Sequence, residues 1–216
     1  MRVYAVADIH AKPGLIDRVR SAVADCSPDV VVVAGDINNY ANPHAAFGPL
    51  DSLGVPVLAV RGNTDLSWHE RLFSRYANIT HLHLCRMQVR GVPFTGISGT
   101  LPVPFRSRIR FSEKALLRET ARNICTQTVL VVHPPPYGTL DRVLGRLSAG
   151  SRGVAALVSS CRPKVVLCGH IHEDAGALRP GHTLVVNCSI GRSGSGAVLD
   201  FGGVDEAGYP AVEWLV

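Results

Sequence analysis

Short, dense runs of valine, leucine and alanine recur along the first two-thirds of the chain. Between them, apolar residues fall every three or four positions. RVYAVA (2–7), DVVVVA (29–34) and PVLAV (56–60) are short and rich in β-branched residues, so they are expected as buried strands. GLIDRVRSAVADC places Leu15, Ile16, Val19, Ala22 and Val23 on one helical face. PHAAFGPLDSL is expected as a helix interrupted near Gly48-Pro49. DLSWHERLFSRY is expected as the next helix, with Asp65 as its N-cap.

The texture then changes. ITHLHLCRMQVRGVPFTGIS (79–98) reads as strands broken by Gly91 and Pro93, and LPVPFRSRIR (101–110) as a loop. SEKALLRETARNI and SRGVAALVSSC have helical spacing, whereas TVLVVH (128–133) and KVVLCGH (164–170) are strands. The tail from His182 reads as three strands joined by glycine-rich turns. Alternating strands and helices imply a mainly parallel sheet. The strand-rich end implies a second sheet or an antiparallel extension. With no repeat, low-complexity stretch or linker, residues 1–216 are expected to form a single domain.

The polar residues just past the strands carry the chemistry. RVYAVA is followed by Asp8-Ile9-His10, DVVVVA by Gly35-Asp36 and PVLAV by Arg61-Gly62-Asn63. TVLVV is followed by His133, and KVVLC by Gly169-His170-Ile171-His172. In an α/β sheet the carboxyl ends of parallel strands share one edge, where such folds bind ligands. Asp8, His10, Asp36, Asn63, His133, His170 and His172 should therefore converge. Such a crowd of polar groups is costly to bury without a compensating cation. Imidazoles mixed with carboxylate and amide oxygens suit Mn²⁺, Fe or Zn²⁺ better than Ca²⁺. Seven ligands exceed one ion's usual shell, and a bridging carboxylate would divide them into two shells of four. Each residue alone has a bland reading: Asp8 or Asp36 as a helix cap, His133 packed in its loop, Asn63 in a turn. The order of all five fragments argues against those readings holding together.

In that order DIH, GD, GN, H and GHIH resemble the motifs of the calcineurin-like metallophosphoesterases, from residue 2 to about 190. The small, uncapped bacterial and archaeal phosphodiesterases of that family look most similar. The resemblance implies an α/β fold of two packed mixed sheets flanked by helices, a four-layer sandwich. It implies that Asp8, His10 and His172 hold one divalent metal and Asn63, His133 and His170 a second, with Asp36 bridging. Mn²⁺ is the expected ion, with Fe, Zn²⁺ or Ni²⁺ as alternatives. By the same resemblance Asp36, Asn63 and His133 serve catalysis, and Asn63 and Thr64 meet substrate. The expected reaction is hydrolysis of a phosphate ester, a diester before a monoester, by a hydroxide held between the metals. The family's Gly-Asn-His stands here as Gly62-Asn63-Thr64. Thr64 is no proton donor near neutral pH, so help to the leaving group is reduced.

The proline-stiffened HPPPYGTLDR reads either as a loop that brings Tyr137 and Arg142 to substrate or as a rigid structural turn with Tyr137 packed, and the alternating Arg106, Arg108 and Arg110 either as a phosphate-steering face or as a solvated loop. Other readings are a scaffold on the same fold with a weak metal site, a nuclease, and a mononuclear zinc hydrolase. The formal charge of +5 suits an anionic small molecule but does not by itself indicate nucleic acid. A homo-oligomer is compatible with the sequence. No apolar run reaches the ~20 residues of a membrane helix, and Asp8 interrupts the place of a signal peptide. A cytoplasmic protein is expected, with its six cysteines, none in a C-x-x-C pair, as reduced thiols.

Overall fold

Each of the five valine-rich runs forms a strand, but the strands divide between two sheets. A computed structural model describes residues 1–40, 45–103, 106–108 and 113–215. Its strands are β1 (Arg2–Val6), β2 (Val30–Ala34), β3 (Val57–Val60), β4 (Ile79–His81), β5 (Arg86–Val89), β6 (Val92–Ile97), β7 (Leu101–Val103) and β8 (Arg106–Arg108). Then come β9 (Val129–Val132), β10 (Arg142–Val143), β11 (Leu147–Ser148), β12 (Val165–Cys168), β13 (Gly176–Leu178), β14 (Leu184–Asn187), β15 (Ala197–Val204) and β16 (Pro210–Trp214). The helices are α1 (Pro13–Cys26), α2 (Phe47–Asp51), α3 (Glu70–Phe73), α4 (Glu113–Ala121) and α5 (Arg152–Cys161).

The first sheet runs β16-β15-β1-β2-β3-β4, and the second β13-β14-β12-β9-β6-β5. In the first, β1 to β4 are parallel and β15 and β16 join antiparallel. In the second, β6, β9, β12 and β14 are parallel between antiparallel edges. The strand-rich tail thus supplies both an antiparallel extension of the first sheet and part of a second.

The period of two along each strand assigns its faces. Val3 and Ala5 of β1, Val30 and Val32 of β2, and Val129 and Val131 of β9 meet between the sheets, all fully buried. The opposite faces, Tyr4 and Val6 of β1 and Val31 and Val33 of β2, pack on α1, α2 and α3. Leu130 and Val166 pack on α4 and α5. Four layers result, helix-sheet-sheet-helix. Each fully buried valine or leucine contributes ~1.5–3 kcal/mol, so the doubly covered central strands form the rigid floor of the molecule.

Several local expectations change. α2 starts at Phe47 and runs through Gly48-Pro49; a proline in the first turn lacks only an N–H that has no intrahelical acceptor. Residues 43–44, expected to open that helix, lie outside the described residues. Asp65 caps no helix: the next helical segment is a 3₁₀ turn at Ser67–His69 leading into α3, with Leu66 at its N-cap. Pro93 sits within β6 beside Phe94, where pairing with β9 begins. The stretch read as a loop holds a short hairpin, β7 with β8, while Arg110 lies outside the described residues. Among the described residues no helix is long and apolar enough to cross a membrane, and all six cysteines are free thiols.

Candidate metal centre

The seven polar residues converge at one edge of the sandwich, where the carboxyl ends of both sheets meet. The chain leaving β14 crosses to the first sheet there. Ala7 N–H donates to the Cys188 carbonyl (3.0 Å), and Ile190 N–H to the Ala7 carbonyl (3.0 Å). The segments after β1 and β2 run side by side: Asp8 N–H donates to Gly35 O (3.1 Å) and His10 N–H to Asp36 O (2.9 Å). Asp8, His10, Asp36 and His170 all have φ between 51° and 71°, the left-handed region that L-residues rarely adopt. Such strain persists only where the surroundings impose it, and it clusters at functional sites.

Asp8 is fully buried. Its Oδ2 accepts the His170 backbone N–H (3.0 Å). Its Oδ1 has no hydrogen-bond partner, although three imidazole nitrogens surround it: Nε2 of His172 at 3.2 Å, of His133 at 3.9 Å and of His10 at 4.0 Å. Asp36 Oδ1 accepts the Thr64 backbone N–H (2.9 Å) and lies 3.5 Å from His133 Nε2, while Oδ2 is 3.7 Å from His10 Nδ1. Asn63 Oδ1 lies 3.1 Å from His133 Nε2 and 2.9 Å from His170 Nδ1. The other nitrogen of His133, Nδ1, is 2.8 Å from the Ala34 carbonyl. It therefore carries the hydrogen, and Nε2 points into the centre.

The electrostatics follow from burial opposed by pairing. Burial would raise the Asp36 pKa, but the charge and hydrogen bond of His133 and the Thr64 N–H outweigh it and hold the carboxylate low. Asp8 behaves likewise, pulled down by His172 and His133. Burial would lower His133, yet Asp36 and Asp8 lift it to about 9. His170, buried and beside His133, is pushed down to about 4. The donor atoms of Asp8, His10 and His172 lie within 4.8 Å of one another, as do those of Asp8, Asp36 and His133. An orphaned buried carboxylate oxygen facing clustered imidazole nitrogens fits divalent cations.

Two further predicted residues are placed differently. Thr64 adjoins the cluster, but its hydroxyl donates to the Asn38 carbonyl (2.7 Å), with His10 Nδ1 3.4 Å away. Tyr137 lies outside the cluster: its ring carries the Arg152 guanidinium 4.1 Å from the centroid and lines a separate cleft with Val158 and His182. Asp65, expected as a cap, instead accepts the backbone N–H groups of Ile37, Asn38 and Gly62 at 2.9–3.0 Å. It braces the loops after β2 and β3 against each other. Burial and the Asp36 charge push it up to about 6.

Two clefts open beside the cluster. One, of about 400 Å³, is lined by Arg61, Asn63, His83 and Ser98. The other, of about 310 Å³, is lined by Val143, His170, His172, Glu173 and Arg192. A larger groove, about 570 Å³, lies against α1 beside Asp17 and Arg18 and contains none of the cluster; size alone does not mark the site. Residues 1–198 match the model of the calcineurin-like phosphoesterase superfamily domain. The chain belongs to that superfamily. A relative in Methanocaldococcus jannaschii, the uncharacterized protein MJ1162, is 26% identical over 202 residues, 88% of each chain. Among solved structures, TT1561 of Thermus thermophilus superposes with a TM-score of 0.72 at 18% identity, covering 99% of this chain and 98% of that one. A dimetal phosphatase from Danio rerio gives 0.71 at 14% identity, covering 100% and 96%. At these identities the superpositions establish the superfamily's sandwich fold, as expected from the motifs.

Proposed function

We propose that this chain hydrolyses phosphodiesters at a dinuclear metal centre. The orphaned, fully buried Asp8 Oδ1, ringed by three imidazole nitrogens, is the observation that carries the reading. His10 and His172 with Asp8 would hold one cation, Asn63, His133 and His170 the other, and Asp36 both. Two such cations would supply an activated water for in-line attack and charge neutralisation at the phosphate. The protein's own part is positional. The Ala34 carbonyl fixes the His133 tautomer. The Thr64 N–H and the crowded Gly62 backbone fix the Asp36 carboxylate. Asp65 locks the loops that carry both.

The two clefts favour a diester over a monoester. A monoester has one alcohol arm and needs one cleft; a diester has two, and separate clefts reach the cluster at His170 and His172 and at Asn63. The Danio rerio protein of the same fold is a dimetal phosphatase, which supports the metal count. Because all seven ligand positions are filled, a decayed scaffold is the weaker reading. The test is a screen of Mn²⁺-loaded protein against phosphate mono- and diesters. Turnover of bis(p-nitrophenyl) phosphate above that of p-nitrophenyl phosphate is expected. Fully metallated protein that turns over neither would overturn the proposal.

A further inference from the structure

We propose that Arg192 binds the substrate's phosphate, gripping its oxygens from the cleft beside His170 and His172; this rests on the phosphoester reading above. Arginine's planar fork matches two phosphate oxygens at once. Two arginines line the clefts at the cluster, Arg61 and Arg192, and they differ in what already occupies them. Arg61 is locked: Nε and one terminal nitrogen bond Glu70 Oε1 at 2.9 and 2.6 Å, and the other terminal nitrogen bonds the Asp65 carbonyl at 2.9 Å. Arg192 is 70% exposed at its side chain, and its ion pair with Glu173 spans 4.0 Å. An exposed pair at that distance holds little. The other carboxylate oxygen of Glu173, Oε2, is held by the Leu144 N–H at 2.7 Å, so only Oε1 faces Arg192. The guanidinium is therefore not spent on the fold.

Its backbone, by contrast, is pinned to the centre. Gly191 packs so tightly on His172 that a β-carbon there would fall 2.6 Å from the ring. Its N–H donates to Ser189 Oγ (3.3 Å), and Ser189 bridges to Ala7 of the first sheet. A long, weakly held cation on a fixed stem, lining the same open cleft as His170 and His172, is suited to an anion there. The cleft, about 310 Å³, has room for a phosphate group and one alcohol arm.

The test pairs binding with turnover in Mn²⁺-loaded protein, using Arg192→Met and Arg192→Lys. Calorimetry with inorganic phosphate reads binding without chemistry. Arg192→Met is expected to weaken phosphate binding, and to raise KM for bis(p-nitrophenyl) phosphate, by about ten- to a hundredfold, the range of a lost charge-assisted hydrogen bond. Metal content should stay at the wild-type value, and Arg192→Lys should restore part of the loss. Equal phosphate affinity in wild type and Arg192→Met, at equal metal content, overturns the proposal. If wild type hydrolyses no ester yet Arg192→Met still loses phosphate, the phosphodiesterase reading fails while the assignment of Arg192 stands.

Discussion

Gly62 stands so close to Asp36 that a β-carbon on it would overlap carboxylate Oδ1 and press on the Asp36 amide nitrogen. The glycine is thus a mould for the carboxylate that faces His10 on one side and His133 on the other. Gly62→Ala changes no ligand, but it must push Asp36 aside, because the backbone atom it meets cannot swing away. We expect Mn²⁺ stoichiometry to fall to one or fewer per chain, with secondary structure retained. Overpacking of this kind costs about 1–3 kcal/mol in stability. Circular dichroism with elemental analysis checks both; full metal loading in a folded Gly62→Ala protein would refute the mould.

Wild-type protein reconstituted with Mn²⁺ should hold two ions per chain. Asn63→Ala removes the oxygen shared by His133 and His170 and should leave one. Asp36→Ala should lose both, because its two oxygens face different histidines. A wild-type count that saturates at one, unmoved by Asn63→Ala, contradicts the bridged pair.

Thr64 spends its hydroxyl on the Asn38 carbonyl, so it helps build a turn rather than release a leaving group. General acid catalysis is typically worth ~10²–10⁴-fold when a leaving group needs it. Thr64→His should therefore raise the rate on alkyl phosphodiesters more than on p-nitrophenyl ones. Equal factors for the two, in a folded and fully metallated variant, would show that the position does not govern leaving-group chemistry.

His81 supplies a pH dependence away from the centre. Burial and the neighbouring His83 charge lower its pKa to about 4. Nε2 lies 2.6 Å from Ser98 Oγ, and the ring stacks on Phe73 at 4.3 Å. A depressed folded pKa means that the unfolded chain takes up the proton first. Stability is then fully present above pH 6.5 and declines as pH falls toward 4, by at most ~1.4 kcal/mol per pH unit from this one group. Urea midpoints of EDTA-treated protein at pH 7.5 and 5.0 should show a smaller drop for His81→Gln than for wild type. An equal drop would mean that His81 titrates normally.

The convergence was legible because each residue of the cluster follows a strand whose composition is unmistakable: Val31 to Val33 before Asp36, Val165 to Leu167 before His170. Strand ends are where parallel sheets put ligands, so motif order was enough to assemble the cluster. The split between two sheets did not follow from those strands, because a doubly buried strand carries the same run of valines in either sheet. Asp65 was misread for a local reason. An acidic residue ahead of a helical pattern suits a cap, and nothing nearby in sequence shows that its three amide partners come from residues 37, 38 and 62. Tyr137 followed a ligand histidine closely in sequence, but the prolines carry it around to the α5 side of the second sheet. Arg192 had no motif to announce it; its role depends on what Arg61 and Glu173 are already doing.

β1 lies inside its sheet, between β2 and β15, yet β15 begins about 190 residues later in the chain. A ribosome therefore releases β1 long before its antiparallel neighbour exists. Until Ala197 and the residues after it emerge, the strand that leads to Asp8 has one side open to any passing edge. The cluster residues that follow β1, β2 and β3 are made early and must wait for His170 and His172. A nascent chain at that stage offers Asp8, His10 and Asp36 without their later partners. The order of synthesis thus sets when the cluster closes: its seven residues stand together only when the last third of the chain has closed over the first.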